Sequence, residues 1–155
     1  MGLDSYLYAK KFVAFSSWES EEECNTVKDI ANLMGGNDFL LDGFQFAVVK
    51  LQLAYWHKAN QIHKFFVDVC GGGTDECQDI YVDRDDLKDL LGRCESILED
   101  HSKAEELLPC QSGFFFGSTE YDQYYFEDLE QTVPILKKIL ENAPEDWEFE
   151  YHASW

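Results

Sequence analysis

The chain has 155 residues, of which 45% are hydrophobic, and its formal net charge is -19. This length suffices for one substantial core, and the hydrophobic fraction excludes disorder throughout. The negative charge argues against direct binding of nucleic acid, because phosphates would be repelled, and no apolar run reaches the roughly 18 residues that span a bilayer. We therefore expect a single acidic globular domain over residues 1–155.

The chain start and the cysteines indicate a compartment. Residues 1–5 lack the basic and apolar stretches of a secretory signal, which predicts a cytoplasmic protein. The cysteine count is odd, and no pair has the two-residue separation of a CxxC motif. We expect reduced thiols, no metal and no cofactor. The cysteines are Cys24, Cys70, Cys77, Cys94 and Cys110.

Hydrophobic periodicity defines the elements predicted for the first half of the chain. In order they are a strand over Ser5–Phe15, a helix from Ser17 or Ser20 to about Met34, a loop over Gly35–Asp38, a strand over Phe44–Leu53 and a helix over Ala54–Val69. The second helix has one apolar stripe and ends at three consecutive glycines. That stripe consists of Tyr55, Ala59, Ile62, Phe66 and Val69.

The second half predicts three helices and two short strands. In order they are a strand over Gln78–Val82, a helix with Asp83 as N-cap, a helix over Ser102–Leu108, an aromatic loop or strand over Gln111–Thr119, a helix from about Glu120 to Asn142 and a strand over Trp147–Tyr151. Pro134 predicts a kink in the longest helix. Short strands with uneven connections favour an α+β fold, a small, mainly antiparallel sheet with helices packed on one face.

The charge is distributed unevenly along the chain. Up to Val69 there are nine acidic and six basic residues, whereas from Cys70 onward there are 22 and six. One interpretation is a solvated surface that resists aggregation, and the other is a negative face that attracts a basic partner or imitates a phosphate backbone. The candidate partner-binding acids are Asp83, Asp85, Asp86, Asp89, Glu127, Asp128, Glu130, Glu145, Asp146, Glu148 and Glu150.

Two aromatic and polar segments are candidates for a ligand pocket. On the helix predicted over Ala54–Val69, Trp56, Asn60 and His63 share a line at the edge of the core, where His63 could transfer a proton near neutral pH. The alternative is a boundary histidine bonded to a backbone carbonyl. The opposite, wet face of that helix would carry His57, Gln61, Lys64 and Asp68.

The second segment, Gln111–Asp122, brackets three phenylalanines between glycines, which allows close approach of the backbone. Ser118 and Thr119 could cap the next helix, and free N–H groups there could hold an anion. The alternative is a core strand followed by an ordinary cap. The candidate ligand-binding residues of both segments are Trp56, Lys58, Asn60, His63, Lys64, Gln111, Ser112, Ser118, Thr119 and Tyr121.

Four stretches of the chain together resemble a family of small proteins encoded by tailed bacteriophages and prophages. They are the opening Gly2–Leu7, the run Tyr55–Lys64, the run Leu107–Asp122 and the closing Ser154-Trp155. The resemblance spans nearly the whole chain. It implies a viral accessory protein that acts in the bacterial cytoplasm, and it implies no activity or site residues.

Three functions fit these residues. We favour a binding protein that inhibits a host defence or nucleic-acid-handling protein by occupying its basic surface as a DNA mimic. The second is sequestration of a nucleotide-like ligand, with Lys58 and Lys64 near its phosphate. The third is a hydrolase or transferase that uses His63 with a tyrosine or carboxylate, although no spacing defines such a site and we predict no catalytic residue. An exposed aromatic patch would also be compatible with a homodimer.

Overall fold

The computed structural model describes residues 2–15, 21–36 and 45–155. Five α-helices and four strands lie in these ranges, and the strands form an antiparallel sheet in the order β2-β1-β4-β3. The α+β prediction is confirmed. The elements are β1 (Asp4–Phe15), α1 (Glu21–Leu33), β2 (Gln45–His57), α2 (Asn60–Phe65), β3 (Ile80–Val82), α3 (Arg84–Glu99), α4 (Ala104–Leu107), α5 (Gln123–Asn142) and β4 (Glu148–Ser154).

Side chains on one face of the sheet contribute to the hydrophobic core. In β4, Phe149, Tyr151 and Ala153 are buried, and the residues between them are at least partly accessible, as expected for the two-residue period of a strand. The register with β3 places Ile80 opposite Tyr151. The Tyr151 ring stacks on Phe66, immediately after α2, with centroids 4.2 Å apart. The segment that follows α2 thus packs on the face of β4 that carries the buried alternate positions.

The largest departure from the sequence prediction is at the end of β2. The strand continues to His57, so the predicted helix over Ala54–Val69 begins only at Asn60. Residues 45–57 also fit an alternating pattern, with Ala54 and Trp56 buried and Tyr55 exposed, and pairing in the sheet decides between the two periods. Trp56 is therefore on a strand and shares no helical line with Asn60.

The second predicted helix also differs from the prediction at its glycine-rich end and in which of its residues are buried. α2 continues into a π-helical turn over Phe66–Cys70, and Gly71 follows it. Val69 is 42% exposed and Tyr55 is 48% exposed, so neither belongs to the buried stripe, whereas Ala59, Ile62 and Phe66 are fully buried. The predicted wet face is also wrong for Gln61, which is 2% exposed.

Helix caps explain the remaining boundaries. The backbone N–H of Asp83 donates to Asp86 Oδ2 at 3.0 Å, in agreement with the predicted N-cap of α3. The N-cap of α5 is Asp122, whose Oδ1 accepts from the N–H groups of Tyr124 and Tyr125, so the predicted caps Ser118 and Thr119 are wrong. Pro134 lies inside α5, which runs unbroken to Asn142.

Several predicted elements differ in extent. The short helix splits into a 3-10 turn at His101–Lys103 and α4, and residues 111–119 form a loop rather than a strand. β3 is shorter than predicted, and β4 is longer. The predicted caps of α1, Ser17 and Ser20, and part of the Gly35–Asp38 loop lie outside the described residues.

The chain divides into two compact units, Met1–Ala9 with Leu51–Trp155, and Lys10–Lys50. The smaller unit contains α1, and within it Phe12 stacks on Phe46 with centroids 5.2 Å apart. The larger unit contains all the candidate site residues. The expectation of a single domain stays a prediction. No helix in the described ranges is both long enough and apolar enough to cross a membrane.

Candidate functional site

A cavity of about 290 Å³ lies where the end of β2, the start of α2, the loop before α5 and the first turns of α5 meet. We call it the Asn60 pocket. Three of the ten predicted ligand-binding residues line it, namely Lys58, Asn60 and Ser118. The full lining comprises His57, Lys58, Asn60, Gln61, Cys110, Gly117, Ser118, Glu120, Asp122, Tyr124, Tyr125, Glu127, Asp128 and Gln131.

The side chain of Asn60 holds the loop that forms part of this pocket. Its Nδ2 donates to the carbonyl oxygens of Phe116 and Ser118, at 3.1 and 2.8 Å, and its Oδ1 accepts from the N–H of Gln111 at 2.9 Å. The side chain is 1% exposed. Both amide donors and the amide oxygen are therefore used to hold the loop, and Asn60 positions the pocket rather than contacting a ligand.

Two residues next to Asn60 and its bound loop, Lys58 and Gly117, have unusual backbone conformations. Lys58 has a φ of 60° and ends the strand, while its N–H donates to Leu3 O at 2.8 Å. Gly117 has a φ of 89°, and a Cβ added there would lie 3.1 Å from Lys58 Cβ. Glycine is needed at 117 both for the left-handed conformation and for this close approach.

Asp128 is a partly buried carboxylate of the pocket. Its Oδ2 accepts from Gln61 Nε2 at 3.0 Å. Burial raises the pKa of Asp128, and the nearby charges of Glu127 and Asp122 raise it further, whereas the hydrogen bond from Gln61 opposes this rise.

The lining charge is unsuited to phosphate. Four carboxylates, Glu120, Asp122, Glu127 and Asp128, face two basic residues, His57 and Lys58. The first N–H groups of α5, which could have held an anion, are capped by Asp122. A nucleotide-like ligand would thus meet repulsion at the position where its phosphate was expected.

The predicted pocket residues Trp56, His63 and Lys64 lie elsewhere. Trp56 is buried, and its Nε1 donates to Thr132 Oγ1 on α5 at 2.8 Å. Lys64 Nζ pairs with Asp68 Oδ2 at 2.8 Å along the helix. The other predicted ligand-binding residues, Gln111, Ser112, Thr119 and Tyr121, do not line the pocket either.

His63 belongs to a buried polar network. Its side chain is 1% exposed, with Nδ1 2.8 Å from Tyr151 Oη and Nε2 3.0 Å from Asp75 Oδ2. Asp75 Oδ1 in turn accepts from Trp155 Nε1 at 3.1 Å. Both ring nitrogens are engaged, so the arrangement orders the structure and gives a substrate no access to the imidazole. Sequence reasoning missed Asp75, because it is in a loop after the glycines and carries no periodic signal.

A second depression, of about 630 Å³, lies between the start of α3 and the connection from α5 to β4. We call it the acidic groove. Five of the predicted partner-binding acids line it, together with the basic residues Arg84 and Lys88. Lys88 pairs with Asp85, and Arg84 donates to the carbonyl oxygens of Ala143 and Pro144. The five acids are Asp83, Asp85, Glu145, Asp146 and Glu148.

The remaining predicted acids separate from this groove. Glu127 and Asp128 line the Asn60 pocket, whereas Asp86, Asp89, Glu130 and Glu150 line neither depression. Asp89 pairs with Arg93 within α3 at 2.8 Å. Seven of the eleven predicted acids therefore line one of two separate depressions, and the other four line neither.

Cys70, Cys77, Cys94 and Cys110 are all free thiols. Burial raises the pKa of Cys70 and of Cys94 to about 12 and that of Cys110 to about 11. Over the ranges that the structure describes, no group of three or more His, Cys, Asp or Glu residues is arranged to hold a metal ion.

Comparison of this chain with protein-family models, with curated proteins and with solved structures found no match. Function is therefore inferred from geometry and charge.

Proposed function

We propose that this protein is a non-catalytic binding protein that inhibits a bacterial host protein by docking the acidic groove on a basic surface of that host protein. One observation carries the proposal. Acids from two separate segments, Asp83 and Asp85 at the start of α3 and Glu145–Glu148 before β4, converge on one depression. Folding thereby concentrates charge that is dispersed in the sequence.

The local charge balance favours a basic partner. Five carboxylates face two basic residues in the groove, and Arg84 and Lys88 are already engaged with groups of the protein itself. Negative potential in a concave surface speeds encounter with a positively charged partner and discriminates against acidic ones. A basic surface of this kind is typical of proteins that handle DNA or RNA, and occupying it would exclude the nucleic acid.

The resemblance to phage and prophage proteins supports the same proposal from a different direction. A protein made during infection meets host nucleases and other nucleic-acid-handling proteins in the bacterial cytoplasm. An inhibitor needs no catalytic centre, and in this structure His63, our earlier candidate for acid-base chemistry, is enclosed by Tyr151 and Asp75. The proposed partner is therefore a host defence or nucleic-acid-handling protein.

The experiment uses charge neutralisation at the groove with a matched control. Tagged wild-type protein is used to capture partners from bacterial lysate, and a captured protein is identified, purified and titrated. The groove variant is Glu145→Gln/Glu148→Gln, and the control is Glu105→Gln/Glu106→Gln, which changes the net charge equally at exposed acids of α4 outside the groove.

We expect the groove variant to weaken binding by about tenfold or more, the control to bind like wild type, and affinity to fall with added salt. The wild-type protein should also displace DNA or RNA from the purified partner. Equal affinities of the groove and control variants, or a captured partner that keeps its nucleic acid, would refute the proposal.

A further inference from the structure

We infer that the Asn60 pocket binds a small organic cation, a guanidinium or primary ammonium group, between Gln61, Asp128 and the tyrosines of α5. The pocket is separate from the acidic groove, and the inference does not depend on the function proposed for that groove. The ligand chemistry could be supplied by a free amine or guanidine, or by an arginine or lysine side chain of another protein.

The first support is a set of three carboxylates in the pocket that accept hydrogen bonds from neutral donors but have no cationic partner among the described residues. Asp122, Glu127 and Asp128 line the cavity, and none of them forms an ion pair with another described residue. A carboxylate that is partly removed from water without a cationic partner is destabilised, and a bound cation would relieve that cost.

The second support is an unpaired acceptor on a buried side chain that lines the pocket. Gln61 is 2% exposed and lines the cavity. Its Nε2 donates to Asp128 Oδ2, which assigns the amide orientation, and no described residue donates to its Oε1. Among the described residues, Ser5 Oγ is the only polar side-chain atom that is both fully buried and without a partner. Since Gln61 Oε1 also has no partner, it must be accessible to solvent. An N–H donor entering the pocket would pair with it.

Lys58 does not fulfil this role itself. It stands at the rim, where its Cβ approaches Gly117 and its Cε would lie 2.9 Å from a Cβ added to Gly2. Within the described part of the chain, Lys58 forms no ion pair with an acidic residue. The stem therefore packs over the two glycines and leaves the carboxylates of the pocket unpaired.

The shape and the aromatic lining restrict the class of ligand. A cavity of about 290 Å³ lies at the lower end of the range for small-molecule sites, which favours a small ligand. Tyr124 and Tyr125 line the same cavity, and a phenol ring attracts a cation placed over its face. A planar guanidinium also matches the two oxygens of a carboxylate, whereas an ammonium would contact them as a point charge.

The test is titration of the full chain with methylguanidinium and with ethylammonium at millimolar concentrations, followed by NMR or calorimetry, with inorganic phosphate as a negative probe. The informative variant is Asp128→Asn, whose side-chain oxygen can still accept from Gln61. Its matched control is Glu130→Gln on the same helix, which removes an exposed acid that does not line the pocket.

We expect saturable binding of at least one cation, a loss of about tenfold or more in Asp128→Asn, and wild-type affinity in Glu130→Gln and in the groove variant Glu145→Gln/Glu148→Gln. A blocked arginine amide that binds more tightly than methylguanidinium would identify a protein side chain as the source, and the reverse order would identify a free small cation. Equal titrations of wild type and Asp128→Asn, or binding of phosphate in preference to both cations, would overturn the inference.

Discussion

The imidazole of His63 and the carboxylate of Asp75 form a buried contact, with Nε2 3.0 Å from Oδ2. His63 is on α2, and Asp75 is in the loop before β3, so the contact ties that loop to the core. The same carboxylate accepts from the indole of Trp155 at the end of the chain. One acidic side chain therefore satisfies two donors from different parts of the fold.

Removal of this carboxylate should destabilise the protein. In Asp75→Ala, the imidazole and the indole N–H of Trp155 would both lose a partner, and we expect the free energy of unfolding to fall by about 2 kcal/mol. Asp75→Asn keeps an acceptor oxygen and should cost less. Urea denaturation of the three proteins at neutral pH measures the difference, and identical midpoints would show that the network contributes nothing.

The raised pKa of Asp128 predicts a pH-dependent stability. Because the folded pKa lies above the unfolded value of about 3.9, the folded state binds more protons, and stability falls as pH rises between these two values. Asp128→Asn lacks this term, so it should be more stable than wild type at neutral pH. The advantage should shrink as pH falls through the folded pKa and vanish below the unfolded one.

Urea denaturation of wild type and Asp128→Asn across this pH range provides the measurement. If Asp128→Asn is less stable than wild type at neutral pH, the folded protein stabilises the ionised carboxylate, and the prediction is wrong. The same variant separates stability from binding, since we expect it to fold well and to lose the cation.

The thiol of Cys110 should be unreactive near neutral pH. Burial, and then the charges of Asp122 and Glu120, raise the pKa of Cys110 to about 11. At pH 8 the thiolate would be roughly one part in a thousand, whereas an ordinary cysteine is partly ionised. Iodoacetamide labelling followed by peptide mass spectrometry should modify Cys110 slowly in the native protein and rapidly in urea. Equal rates in the two states would contradict the assigned shift.

The same substitution at two glycines should have opposite effects. Gly117 has a φ of 89°, and an added Cβ would lie 3.1 Å from Lys58 Cβ, so Gly117→Ala should cost about 1–2 kcal/mol. Gly92 is inside α3, and no atom lies within 4 Å of an added Cβ, so Gly92→Ala should stabilise by about 1 kcal/mol. Thermal unfolding of both variants tests the pair, and shifts of the same sign would be inconsistent with this backbone geometry.

The buried indole N–H of Trp56 has one hydrogen-bond acceptor, the hydroxyl of Thr132. Its Nε1 donates to Thr132 Oγ1 at 2.8 Å in the core, and Thr132→Val would leave this donor unpaired at a cost of about 1–3 kcal/mol. Thr26 provides the control, because its hydroxyl donates to Glu22 O on the exposed surface of α1. We expect Thr26→Val to change the free energy of unfolding by less than about 0.5 kcal/mol. Equal losses would show that burial of the indole N–H is unimportant.

Local patterns predicted much of the fold. Alternation at Phe149 and Tyr151 is visible in the sequence, because a strand exposes every second residue. Asp83 was identifiable as an N-cap, because its carboxyl type and position before an amphipathic run are local features. By contrast, residues 54–57 fit both helical and strand periods, and pairing in the sheet resolved the ambiguity in favour of β2.

The candidate site was predicted less well. Asn60, Lys58 and Ser118 do share a pocket, as the two suspected segments suggested. Trp56 and His63 do not line it, since the change from helix to strand turned Trp56 toward Thr132 and burial enclosed His63. Gln61 was assigned to a wet face and lies instead at the floor of the pocket beside Asp128.

The sequence by itself determined the α+β class, the acidic charge and the N-cap at Asp83, because these depend on composition and on neighbours a few residues apart. Tertiary structure alone decided which carboxylates meet. Asp85 and Glu145 share a groove, and Gln61 and Asp128 share a pocket, through packing between segments that are distant in the chain. Such proximity depends on how helices and strands pack, and no local periodicity encodes it.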